Sequence, residues 1–193
     1  MTPSLTVRVP GAGGRRPHRE TVTVRRATPA DARRLTALVR GSRAYEGPYA
    51  SMVAGYTVGG DYIDRHEVHL AAGGDDRPLG FYALVLDPPS APELDLMFVA
   101  DAAQGLGVGR LLVGHLTERA RAAGLDAVRI VSHPPAEGFY RSVGAHRTGT
   151  VPARPPAVPW DRPELRLDIP PAGTPARPLP TVPGGRVRPP ERA

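Results

Sequence analysis

Apolar and polar positions alternate with two different periods along this chain. "TVTVRRAT" places β-branched residues at every second position and reads as a strand over 21–26. "TPADARRLTALVRGS" switches to a helical period, with Thr28 as N-cap, Pro29 at the first helical position, and Leu35, Leu38 and Val39 on one face. The segment 41–66 has no clean period; short helices around 50–55 and 61–65 are expected there. Then "EVHLAAG", the turn "GGDDRP" and "LGFYALVLD" read as a hairpin, followed by a further strand, "LDLMFVA". Val108, Leu112, Leu116 and Ala120 step by four through a helix over 106–123, with Gly124 as its stop. Strand "DAVRIV", short helix "PAEGFYRSV", strand "AHRTGTV", a Pro-rich loop over 152–163 and strand "ELRLDI" complete the pattern. This order gives an α/β protein, a mixed and mostly antiparallel sheet with helices on both faces. No internal repeat is visible.

Composition divides the chain into regions. Residues 1–20 and 170–193 are rich in Pro, Gly and Arg, and are expected to be disordered or loosely attached tails around a domain at 21–169. The formal charge of +6 sits in those tails, since each carries four arginines against one glutamate. The domain between them is formally neutral, which disfavours a specific nucleic-acid partner. No segment has the form of a signal peptide or a membrane helix, so a soluble cytoplasmic protein without a membrane partner is expected.

Missing residue types remove whole chemistries. Without cysteine there is no disulfide, thiolate metal site or Cys nucleophile. Without lysine there is no Walker-type phosphate loop. His66 and His69 flank Glu67, but three residues apart on a strand they fall on opposite faces, so no metal is expected.

The stretch "DAAQGLGVGRLL" places Gly105, Gly107 and Gly109 between a strand and a helix. The first-turn amides of that helix lack intrahelical partners and lie at the positive end of its dipole. Glycines let several N–H groups converge on one anion, and a phosphate or pyrophosphate is the natural guest. A dinucleotide-binding GxGxxG fits poorly, because Arg110 stands where its third glycine is needed and the loop comes late in the fold.

Gln104-x-x-Gly107-x-Gly109 after "LMFV", with "AEGFYRSVGA" some thirty residues on, resembles the GNAT family of N-acetyltransferases. That family's acetyl-CoA loop reads Gln/Arg-x-x-Gly-x-Gly/Ala, and its later helix reads Ala-x-x-Phe-Tyr-x-x-x-Gly. The resemblance covers about 21–169 and implies an acetyltransferase with acetyl-CoA as co-substrate and a small-molecule or peptide amine as acceptor. It implies that main-chain groups of Met97, Phe98 and Val99 bind the acetyl and pantetheine end of acetyl-CoA. The pyrophosphate would lie on Gln104, Gly105, Leu106, Gly107, Val108 and Gly109, with Arg110 adjacent. Tyr140 is implied as the donor that protonates the departing thiolate, a task suited to a phenol of pKa near ~10. Phe139 reads as packing. Glu93 falls where family members carry a glutamate base, and Asp95 is the reserve on what the alternation makes the same strand face as Met97 and Val99. His133 stands where many members contact pantetheine through an asparagine, and Asp101 replaces a frequent proline.

The resemblance implies that the acceptor binds between the early helices, which carry Tyr45, Glu46, Tyr49, Tyr56, Asp61 and Tyr62, and the late loop, which carries Arg154 and Trp160. Acids and aromatics there suit a cationic amine. A non-catalytic CoA-binding or sensing domain is the competing expectation, and an accessory nucleic-acid role through the tails is a third. The acceptor's identity and the oligomeric state, a homodimer included, stay open.

Overall fold

The computed structural model describes residues 5–10, 19–87 and 91–171. Eight strands form one sheet in the order β1-β2-β3-β4-β5-β6-β8-β7. They are β1 (Leu5–Pro10), β2 (Arg19–Arg26), β3 (Glu67–Ala72), β4 (Pro78–Val85), β5 (Glu93–Val99), β6 (Ala127–Val131), β7 (His146–Val151) and β8 (Arg162–Asp168). Every neighbouring pair is antiparallel except β5 and β6.

The helices are α1 (Ala32–Arg40), α2 (Gly60–Arg65), α3 (Val108–Ala122) and α4 (Glu137–Ser142). A 3-10 turn, Pro29–Asp31, leads into α1 behind Thr28, whose N–H donates to Asp31 Oδ2 at 3.0 Å. Arg25 also bonds that carboxylate at 2.8 Å, and together these bonds hold its pKa down at about 2. The region 41–55, expected to hold a helix at 50–55, instead forms 3-10 turns at Arg43–Tyr45 and Gly47–Met52. Pro48 and the positive φ angles of Gly47 and Gly55 fit short turns better than a continuous helix.

The sheet separates two apolar layers. On one face Val108, Leu112, Leu116 and Ala120 of α3 pack with Tyr82, Leu84, Val128 and Leu165. On the other, Leu35 and Val39 of α1 and Ile63 of α2 pack with Leu70, Phe81, Leu96 and Phe98. Burying each such leucine contributes about 1.5–3 kcal/mol. The four-residue step along α3 is therefore what anchors the glycine loop that precedes it.

Two expectations are corrected here. Residues 5–10, read with the N-terminal tail, pair with β2 from Leu5↔Val24 to Pro10↔Arg19. The two-residue alternation of "LTVRVP" outweighs the Pro- and Gly-rich composition around it. Residues 1–4, 11–18 and 172–193 lie outside the described residues, and the last two positions of the N-terminal tail open β2. The second correction concerns β5. Ala83 pairs with Leu96 and Leu84 with Leu94, leaving Asp95 as the extra residue of a bulge. One extra residue reverses the side-chain phase. Leu94 therefore joins Met97 and Val99 on the α3 face, and Glu93 lies on the face toward α1 and α2 rather than beside them.

Among the described residues no helix is long and apolar enough to cross a membrane, and no cluster of side chains is suited to a metal. His66 packs edge-on against Tyr62, while His69 stacks on Tyr82 in the core.

Candidate active site

The parallel strands β5 and β6 pair only at Glu93↔Arg129 and Leu94↔Ile130. Beyond those two pairs they part, and a cavity of about 640 Å³ occupies the gap. Met97, Phe98 and Val99 line it from β5, and Ser132 and His133 from the end of β6. Gln104, Gly105, Gly107, Gly109 and Arg110 line it from the loop and first turn of α3, and Phe139 and Tyr140 from α4. Eleven of the thirteen residues expected at the site thus face one space. The exceptions are Leu106, which is partly exposed, and Val108, whose side chain is in the core.

The three glycines serve distinct purposes. Gly105 has φ 75° and Gly107, the N-cap of α3, has φ 90°, conformations that other residues rarely adopt. Gly109 provides clearance, since a Cβ there would come within 3.1 Å of the Phe139 ring. Phe139 sets the spacing between α3 and α4, as its packing role requires. With the loop so wound, the amides of Val108, Gly109 and Arg110 begin the helix without intrahelical acceptors, an arrangement suited to an anion. The Gln104 amide nitrogen donates to Asp101 Oδ1 at 3.0 Å, and Asp101 also accepts from Arg43 at 3.2 Å, so the residue in place of proline ties the loop down. Arg110 reaches Ser142 Oγ and O at 3.3 Å, bracing α3 against α4.

Tyr140 is 8% exposed, and burial above all raises its pKa, which keeps the phenol protonated at neutral pH. Glu93 lines the cavity, with Oε2 paired to Arg129 at 2.6 Å. Arg129 in turn binds Glu164 at 2.5 Å. Asp95, displaced by its bulge, lines the cavity and accepts a 2.5 Å hydrogen bond from the Tyr62 hydroxyl. Burial first, and then that bond, raise the Tyr62 pKa and keep it a donor. His133 is stacked on Tyr45 at 4.4 Å and meets Tyr49 edge-on at 4.2 Å. Burial lowers its pKa, so the ring is neutral at pH 7, and its Nε2 is buried without a partner among the described residues.

Of the residues expected around the acceptor, Tyr45 and Tyr56 line the cavity and Tyr62 reaches it through Asp95. Tyr49 and Trp160 pack edge-on at 4.7 Å behind His133. Glu46, Asp61 and Arg154 do not line it. Sequence reasoning missed Arg129, the partner that fixes Glu93, and Arg162, which lines the cavity from the start of β8. No local motif marks either residue; Arg162 falls in what reads as the Pro-rich loop.

Comparison with known proteins gives this architecture its class. The acetyltransferase (GNAT) family matches residues 39–145, more than half of the chain, and the chain belongs to that family. It is accordingly an acetyl-CoA-dependent N-acetyltransferase in class. An acetyltransferase of the GNAT family from Desulfovibrio desulfuricans superposes with a TM-score of 0.62 at 19% identity, over 77% of this chain and 99% of that one. An acetyltransferase from Salmonella typhimurium, solved with acetyl-CoA, gives 0.61 at 18% identity over 77% and 94%. An aminoglycoside 6'-N-acetyltransferase complexed with coenzyme A gives 0.58 at 15% over 77% and 97%. At these identities the likeness is one of fold. Comparison with curated proteins finds no match.

Proposed function

We propose that the chain transfers the acetyl group of acetyl-CoA to a primary amine by direct attack in a ternary complex, with both substrates in the cavity between β5 and β6. The observation that carries this reading is convergence: a glycine-wound helix start, a splayed parallel strand pair and a buried protonated tyrosine share one space. Acetyl-CoA supplies the acetyl group as an activated thioester. Main-chain groups of Met97, Phe98 and Val99 hold its acetyl and pantetheine end, and the unpaired Nε2 of His133 meets pantetheine. Amides over 104–109, with Arg110 beside them, take the diphosphate.

Glu93 takes the proton that the acceptor ammonium must lose, through one water. Its Oε2 belongs to Arg129, which fixes the side chain and leaves Oε1 as the accepting atom. The amine nitrogen then forms its bond to the carbonyl carbon as the carbon–sulfur bond breaks. Tyr140 donates its hydroxyl proton to the departing sulfur and is reprotonated, through solvent, by the second proton that the nitrogen sheds as it becomes an amide. Asp95, oriented by Tyr62, holds the cationic end of the acceptor. The catalytic unit is the domain at 21–169 with β1 added at its edge.

A panel of primary amines with acetyl-CoA, followed by free-thiol release, tests this reading. Amine-dependent release that collapses in Tyr140→Phe is the expected result. No acceleration by any amine, or a Tyr140→Phe variant at full rate, overturns it.

A further inference from the structure

The charged groups lining the cavity are accounted for except one. Glu93 is paired with Arg129, Asp95 accepts from Tyr62, and Arg110 is bonded to Ser142 beside the expected diphosphate position. Arg162, at the first position of β8, lines the same cavity, and its side chain has no hydrogen bond or ion pair among the described residues, with Nε buried. It differs in this from the other arginines on β6 and β8, since Arg129 bonds two glutamates and Arg166 bonds Asp168 at 2.7 Å.

A second observation points to the same corner. Six buried side-chain nitrogens lack a hydrogen-bond partner among the described residues; two of them belong to His133 and Arg162, which line this cavity, and a third to Trp160, which packs behind Tyr49. Tyr49 stands between Trp160 and His133, edge-on to both rings. The Ser132 amide donates to the Pro163 carbonyl at 2.8 Å, fixing the start of β8 against the end of β6. With the His133 nitrogen assigned to pantetheine, the Arg162 guanidinium is the donor of this cavity left without an acceptor, and because such a nitrogen costs free energy it marks the place of an acceptor-rich group. A guanidinium fork matches a carboxylate bidentately.

We propose that the acetyl acceptor is an amino acid, with Arg162 receiving its carboxylate while Asp95 holds the amino end. The inference rests on the proposed transfer to an amine and names the class of that amine. Its geometry follows from strand order: β6 alone separates β5 from β8, so the two backbones are about 10 Å apart before splaying. The side chains of Asp95 and Arg162 shorten that gap to the span of a compact molecule whose amine and carboxylate are a few bonds apart.

The test uses the full chain with acetyl-CoA and the standard amino acids, each beside its methyl ester, with free-thiol release as the readout. The account expects at least one acid to exceed its ester in kcat/KM by about tenfold or more, chiefly through KM. Arg162→Gln should bring that ratio close to one, and Arg162→Lys, which keeps the charge, should retain part of it. Esters acetylated as well as acids by the wild-type chain overturn the inference without recourse to a variant. An acid-over-ester ratio that survives Arg162→Gln overturns it too. Thiol release with other primary amines but with no amino acid overturns this inference alone, whereas no release with any acid, ester or other primary amine above the enzyme-free rate brings down both proposals.

Discussion

The two ends of the cavity are built on different principles. At the α3 end the wall is main chain, wound by Gly105 and Gly107 and anchored by the buried stripe of Val108, Leu112, Leu116 and Ala120. At the other end the wall is side chain: Tyr45 from a 3-10 turn, Asp95 from a bulge and Arg162 from the start of β8. Main-chain recognition suits a group common to every turnover, because any sequence with the right glycines supplies the same amides. Side-chain recognition suits the partner that must be told apart from others.

This contrast orders the expected effects. Replacing Tyr140, the proposed proton donor, gives the largest: Tyr140→Phe should lower kcat about 10²–10³-fold with little change in acetyl-CoA affinity, read by steady-state kinetics. Asp95→Asn should act on the acceptor end alone, raising KM for the amine about tenfold while leaving KM for acetyl-CoA within a factor of two. Equal damage to both KM values would erase the distinction between the ends.

Acid should weaken the layer beneath the cavity before it reaches the carboxylates. His69, 1% exposed, has its pKa lowered to about 3 mainly by burial, and burial lowers that of His115 as well. The unfolded chain therefore binds protons that the folded chain refuses once the pH falls below about 6.5. Their contribution is complete above that pH and is lost progressively toward pH 3. His69 alone accounts for about 2 kcal/mol between pH 7 and pH 5, a fall of roughly 4–8 °C in Tm. A melting temperature flat over that interval would contradict the neutral buried pair. Asp31, held at about 2 against an ordinary value of 3.8, adds its loss as the pH falls from about 4 to about 2.

The smallest effect belongs to Gly109→Ala. Its φ is ordinary, so the substitution only presses a methyl on Phe139, and a loss of about 1 kcal/mol in a denaturant titration is expected.

The same contrast explains what the sequence makes legible. The four-residue step of α3, the glycine spacing and the aromatic pair on α4 are local patterns, and each is found where the pattern places it. The bulge at Asp95 is not local, because "LDLMFV" reads as unbroken alternation and only pairing with β4 shows the reversed phase. Arg129 and Arg162 likewise gain their meaning from residues 36 positions away in one case and from an empty wall in the other. The edge strand Leu5–Pro10 was hidden by its neighbours' composition rather than by its own pattern.

Calorimetric titration of acetyl-CoA into the full chain and into Gly107→Val tests the central claim most directly. The account predicts one saturable site in the wild-type chain and at least a tenfold weaker one in the variant, because a β-branched residue cannot hold φ 90° at the start of α3. No binding heat from folded wild-type protein, or equal affinity in the two, would contradict it.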